Sequence, residues 1–170
     1  INVSAGVVTY KGQEVRNSLT DRMLEMLDEG GDLEPMSKFL SRLMSNPSMR
    51  AVNELYGFLE KGALPITPDG HFLAYKAVRA NYHDIHSGKF DNSVGQVVQM
   101  PRNAVDDDKD RTCSYGLHFC SVDYLKHFAS RDGHVMILKI DPADVVSIPS
   151  DYNDTKGRCA KYEVVGEFHD

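Results

Sequence analysis

Between residues 18 and 62 apolar side chains recur three and four apart, the spacing that gathers them on one face of a helix. The first such run carries Leu19, Met23, Met26 and Leu27. Ser18 is the expected N-cap, Asp21 falls in the first turn, and Gly30-Gly31 ends the run. A second run places Met36, Phe39, Leu40, Leu43 and Met44 together and stops at Asn46-Pro47, because the residue before a proline avoids helical geometry. A third starts at Ser48 and passes through Val52, Leu55, Tyr56 and Leu59 to Gly62. Ahead of them, Gly6 to Val15 reads as a hairpin turning at Lys11-Gly12. The methionine stripes could line a peptide groove; filling a small helical core is the more economical reading.

Beyond residue 63 the period shortens. Ile66-Thr67-Pro68-Asp69-Gly70 is a turn with a mechanism: proline presets φ, aspartate bonds its own backbone, and glycine supplies a positive φ. It feeds a strand over His71 to Val78. After a polar loop, further strands are expected over Val94 to Met100, around Leu117 to Cys120, over His134 to Ile140, over Val145 to Ile148 and over Ala160 to Val165. A short helix capped by Ser121 would present Tyr124, Leu125 and Phe128 inward. These elements predict an α+β fold in two parts. Residues 1–63 form a hairpin plus a three-helix subdomain, and residues 64–170 form a domain built on a mostly antiparallel sheet.

Composition narrows the function classes. With 41% hydrophobic and 26% charged residues among 170, the chain has ordinary globular composition. Three cysteines are too few and odd in number for a disulfide framework, which suits a reducing compartment. No signal peptide or membrane-spanning run is evident, and a start at Ile1 rather than Met predicts a preceding segment. The net charge is -6, from 25 acidic and 19 basic residues, with no basic stripe, so nucleic-acid binding through this chain is not expected. The run Asp106-Asp107-Asp108-Lys109-Asp110 lacks the spacing of a calcium loop and reads as a solvated loop.

Candidate chemistry is scattered. His83, His86, Cys113, His118 and Cys120 are metal-capable, but neither Cys-x2-Cys nor His-Glu-x-x-His is present, so no metal site is expected. Nucleophile-elbow, P-loop and dinucleotide fingerprints are absent. Cys120 precedes the helix that Ser121 would cap, where a helix dipole would lower its pKa, and it shares a strand face with His118. Packing remains the simpler role for it.

A wider constellation consists of Tyr75-Lys76 on one strand, His118 to Ser121 on another and Glu163 on a late strand. It resembles the layout of ADP-ribosyltransferase-type folds. That resemblance implies a ligand-binding cleft lined by Tyr75, Lys76, His118 and Glu163. Lys76, Ser121 and Glu163 would be the catalytic set, and nicotinamide adenine dinucleotide (NAD) the cofactor. Glutamate there would stabilise positive charge developing on the ribose. Lys76 stands where arginine or histidine is expected, and Lys161 where glutamine or glutamate is usual, which points to a degenerate version without a cofactor.

Longer matches come from Phe72 to Tyr82, Phe90 to Gly95, Met100-Pro101-Arg102, Thr112 to Ser121 and Asp144 to Asp154. Together they resemble the RIIB family of T-even-type bacteriophages, the rapid-lysis or lysis-inhibition proteins. The resemblance implies a phage-encoded, non-secreted protein of the infected cell that acts in lysis timing and in overcoming exclusion by a resident prophage. It implies a RIIA-like protein partner, a further N-terminal helix-turn-helix-type module, and association with the inner membrane. No basic or strongly amphipathic helix suits direct lipid contact, so that association would run through a partner. The family supplies no catalytic residues. The expectation is therefore an interaction protein in the host cytoplasm, with the NAD-binding module as the alternative.

Overall fold

Asn17, not Ser18, opens the first helix. The computed structural model describes residues 1–4, 6–108, 115–121, 125, 132–148 and 156–169. In it the Asn17 side chain accepts from the Thr20 N–H at 2.9 Å, and the Thr20 hydroxyl accepts from the Asn17 N–H at 2.9 Å. This reciprocal cap satisfies two backbone donors that would otherwise lack partners, and it displaces the expected cap by one residue. The Asn17 amide also donates to Val52 O at 3.0 Å, so the cap ties the first helix to the third.

Three helices follow: α1 (Ser18–Glu29), α2 (Glu34–Leu43) and α3 (Met49–Lys61). Gly30 ends α1 in left-handed geometry, and Ser48 caps α3 by accepting from Ala51 N–H. The expected stripes are the buried ones: Leu19 and Met23, then Met36, Phe39, Leu40 and Leu43, then Leu55 and Leu59. Leu27 is more exposed than its spacing suggested. Before the helices stands a three-stranded meander, β1 (Asn2–Ser4), β2 (Val7–Tyr10) and β3 (Gln13–Glu14). Lys11 and Gly12 both take positive φ in its second turn. The hairpin was legible there, and β1 was not.

Seven strands make the main sheet: β4 (Phe72–Val78), β5 (Val97–Gln99), β6 (Leu117–Cys120), β7 (His134–Ile140), β8 (Val145–Ser147), β9 (Lys156–Cys159) and β10 (Lys161–Glu167). Their order is β5-β10-β7-β4-β6-β9-β8, and every pairing is antiparallel. The α+β class is as expected. The strand over Val94 to Met100 shrinks to three residues, and β9 was not foreseen. Most of the predicted helix after Ser121, with Tyr124 and Phe128, lies outside the described residues; Leu125 is buried.

Alternation on β4 puts Phe72, Ala74, Lys76 and Val78 on the inward face. Phe72 meets Phe39 of α2 and Phe119 of β6, and Phe119 meets Phe58 of α3, with centroids 6.4, 5.5 and 6.0 Å apart. That aromatic chain seats the helices on one end of the sheet. Buried side chains from both halves of the sequence form a single continuous cluster. Over the other end of the same face lies the loop from Arg79 to Gln96, and there the inward lysine is found.

Candidate functional site

Lys76 is an ionisable group on the core side of a strand, and it is only 9% exposed. β4 and β6 pair at Tyr75 and Cys120 alone, so the two strands splay beyond that point. The Lys76 ammonium uses the gap to donate to His118 O at 2.8 Å, with its nitrogen 5.7 Å from the Tyr162 ring centre. Burial pulls its pKa down, although the charge of Asp84 opposes that.

The loop above it is organised by Asp84. Burial tends to raise the pKa of this carboxyl. The backbone N–H groups of Phe90 and Ser87 and the Ser87 hydroxyl outweigh that, and the net shift is downward. Loop and sheet line a half-open cavity of about 440 Å³ whose walls include Lys76, Asp84, His86, Phe90, Met100 and Tyr162, with the exposed Tyr115 at its mouth. Leu117 and His118 complete its β6 side. A smaller space of about 50 Å³ adjoins it, bounded by Tyr75, His86, His118, Cys120 and Lys156 among others. The Tyr162 hydroxyl donates to buried Asn92, which braces the loop from below.

Of the expected ligand-binding set, Tyr75, Lys76 and His118 come together here. Glu163 does not. Lys76 is paired with Met136, and Leu138, two residues along β7, is paired with Val164. Those side chains share one face, whereas Glu163 pairs with Lys139 on the other. It borders a separate polar depression with His71, Lys139, Asp141 and Asp144. Ser121 is buried against Gly62 at the end of α3 and lines neither Lys76 cavity. The transferase-like cleft is thus divided between opposite sides of a sheet, because side-chain direction follows strand register rather than sequence order.

Of the metal-capable residues, His86, His118 and Cys120 border the smaller space and His83 stands apart. His83 Nδ1 donates to Gly88 O at 2.7 Å, while His86 and His118 face each other with ring centres 5.3 Å apart. Cys113 lies outside the described residues. Among the described residues, no three His, Cys, Asp or Glu side chains converge as a metal would require. Cys120 is corrected more sharply: burial pushes its thiol up to about 12, and its S–H contacts Tyr75 O at 3.3 Å. A helix dipole was expected to lower that pKa, but desolvation dominates, so the thiolate needed for attack is not available at neutral pH. The acidic run is also only partly solvated, since Asp106 lies 3.8 Å from the buried Arg158 guanidinium.

His118 is the cavity's pH-sensitive member. Burial first, then the positive charges of Lys76, Lys156, His86 and Arg158, drive its pKa down to about 3. The unfolded chain takes up this proton below about pH 6.5, and the folded chain does so only near the depressed value. The associated stability is therefore complete above pH 6.5 and is lost as the pH falls toward 3. Melting temperature should fall between pH 7 and pH 5, before the carboxylates begin to titrate. His118→Gln should flatten that segment; an unchanged slope would show that His118 is not the group responsible.

Sequence reasoning reached Lys76, His86 and His118 but missed Asn92, Lys156 and Tyr162. The spacing Asp84-x-x-Ser87-Gly88 carried a signal, since an aspartate that bonds the backbone and hydroxyl three residues on is a loop-forming device.

Comparison with known proteins places these residues in context. The family model described as Bacteriophage T4 protein rIIB matches residues 1–169. Protein rIIB of Enterobacteria phage T4 is 48% identical over 165 residues, covering 97% of this chain and 53% of that protein. The chain thus spans about half the length of this relative. No solved structure matches.

Proposed function

The chain belongs to the bacteriophage T4 protein rIIB family, and we propose that it acts in the infected cell in lysis inhibition and in overcoming prophage exclusion, by protein–protein interaction rather than catalysis. Its partner is a RIIA-like phage protein. It works in the host cytoplasm and meets the inner membrane only through that partner. The observation that carries this reading is 48% identity over 165 residues, 97% of the chain.

Surface chemistry supports a protein partner. Val94 and Val97 are more than half exposed and Val165 is 41% exposed where the edge strand β5 meets β10. Apolar side chains grouped at a sheet edge suit a protein partner, and a net charge of -6 does not suit a phosphate backbone. Among the described residues, no helix is long and apolar enough to cross a membrane, which is compatible with contact through a partner.

Tagged protein isolated from infected cells should bring down the RIIA-like protein, and Val97→Asp with Val165→Asp should reduce its recovery at least about fivefold. Phage carrying a stop codon early in this region should lyse cells early and fail to plaque on prophage-bearing hosts. Normal lysis timing and normal plaquing with such an allele would overturn the reading.

A further inference from the structure

Lys76 is an unusual group to keep inside a protein. A buried ammonium is costly unless a counter-charge or a full set of acceptors accompanies it. Here one N–H goes to His118 O and a ring face lies nearby. Among the described residues no carboxylate comes within ion-pair distance of Lys76. Asp84 is the anion that offsets it at longer range, and its two oxygens already accept from Ser87 and Phe90. The remaining Lys76 donors therefore have no full partner, although the group borders a cavity of about 440 Å³.

A second donor in the same wall is also unused. His118 Nε2 is buried and has no hydrogen-bond partner among the described residues. Its ring is neutral near pH 7, so the Nε2–H tautomer can donate. Lys156 stands in the adjoining space and adds to the positive potential. Apart from Asp84 and Ser87, which bond each other and the loop backbone, the lining is of another kind: Phe90, Met100, Leu117 and Tyr162 offer apolar and aromatic surface. The volume lies in the range that encloses a small organic molecule.

We propose that this cavity is a binding site for a small molecule carrying a phosphate or carboxylate on an aromatic or apolar body. Its oxyanion sits between the Lys76 ammonium and His118 Nε2, and its body sits against Phe90, Met100 and Tyr162. The bound anion supplies a counter-charge closer than Asp84, and the burial of Lys76 strengthens its charge-assisted hydrogen bond. The inference does not depend on the partner proposed above, and binding to purified protein tests it separately.

The test is calorimetric titration of the purified protein with phenyl phosphate, benzoate, benzamide and inorganic phosphate. Phenyl phosphate or benzoate should bind at least about tenfold more tightly than benzamide, which has the ring without the charge, and than inorganic phosphate, which has the charge without the ring. Which of the two oxyanions binds better identifies the head group. Lys76→Met should weaken that binding at least about tenfold without lowering the melting temperature, since it removes an uncompensated buried charge. Lys11→Met, on the exposed N-terminal hairpin, should leave binding unchanged. Should Lys76→Met fail to fold, wild-type protein decides: the Lys76 Nζ and His118 Nε2 nitrogen resonances shift on titration with the tighter of the two oxyanions. Resonances that stay put, equal affinity for charged and neutral rings, or inorganic phosphate binding as tightly as phenyl phosphate would each overturn the proposal.

Discussion

Replacing Asn46 with alanine should destabilise the protein by about 3 kcal/mol or more, because one buried side chain satisfies groups from three separate elements. Its amide donates to Pro142 O and to Val145 O at 2.8 Å each, while its carbonyl oxygen accepts from Ser48 N–H at 2.8 Å and from Arg102 Nη2 at 2.9 Å. Alanine removes all four bonds: Pro142 O is left with the Val145 N–H as its remaining donor, and the Ser48 N–H loses its acceptor. Val145 O keeps a second donor in Arg102 Nη2 at 3.0 Å, so the loss there is partial. For a chain of this length the change corresponds to a fall of roughly 6–12 °C in melting temperature. Asn46→Asp separates the contributions. It keeps the acceptor and strengthens the contact with Arg102, yet it turns a charged oxygen toward the Pro142 and Val145 carbonyl oxygens, which it repels. It should therefore cost nearly as much as alanine. An aspartate variant as stable as the parent would mean that the Arg102 contact alone fastens this junction.

Asn46 also marks the boundary of what the sequence could disclose. The break at Asn46-Pro47 was legible, since proline constrains the residue before it. The four bonds of Asn46 were not, because their partners lie as far away in sequence as Val145. The helix stripes were legible for a similar local reason: Phe39, Leu40 and Leu43 share a face whatever the helix packs against. β9 was hidden because Lys156-Gly157-Arg158-Cys159 shows no alternation of hydrophobic and polar side chains. Its place is set by pairing with β6, where Gly157 sits opposite Phe119. A Cβ on Gly157 would stand 2.9 Å from Phe119 Cε2, so the missing side chain is the space the ring occupies.

Register explains the fate of the candidate site. Alternation within β4 alone assigned Lys76 to the face of Phe72 and Ala74. Whether Glu163 shared that face depended on how β10 aligned with β7, and local sequence carries no record of that alignment. A shift of one residue would have brought Glu163 round to the lysine. The observed register instead brings Tyr162 to Lys76, and places an aromatic ring and a bridged loop where a carboxylate was expected. The site that results is lined by Lys76, two histidines, the loop-bonded Asp84 and apolar and aromatic side chains.

The turn that launches β4 carries the other large expected effect. Gly70 sits at φ +82° and its N–H bonds Thr67 O at 3.0 Å, while Thr67 Oγ1 accepts from His71 N–H at 3.0 Å. Asp69 is gripped by Lys139 Nζ at 2.6 Å and by the Thr67 hydroxyl, which together hold its carboxyl well below the usual carboxylate range. The turn also presses on α2. A Cβ on Gly70 would stand 2.6 Å from Phe39 N and 2.7 Å from Lys38 Cβ, so the obstacle is largely helix backbone that cannot rotate away. Gly70→Ala combines a left-handed penalty of about 1–2 kcal/mol with overpacking of about 1–3 kcal/mol, and a total of about 2–5 kcal/mol is expected. Gly70→Asn is the informative control. Asparagine tolerates positive φ better than alanine but brings the same Cβ to the same backbone. If both variants lose a similar amount by chemical denaturation, close approach of α2 is the cause; if asparagine recovers most of the loss, the cause is φ. The short distance to Phe39 N favours the first outcome, in which α2 can keep its seat on the sheet only while position 70 has no side chain.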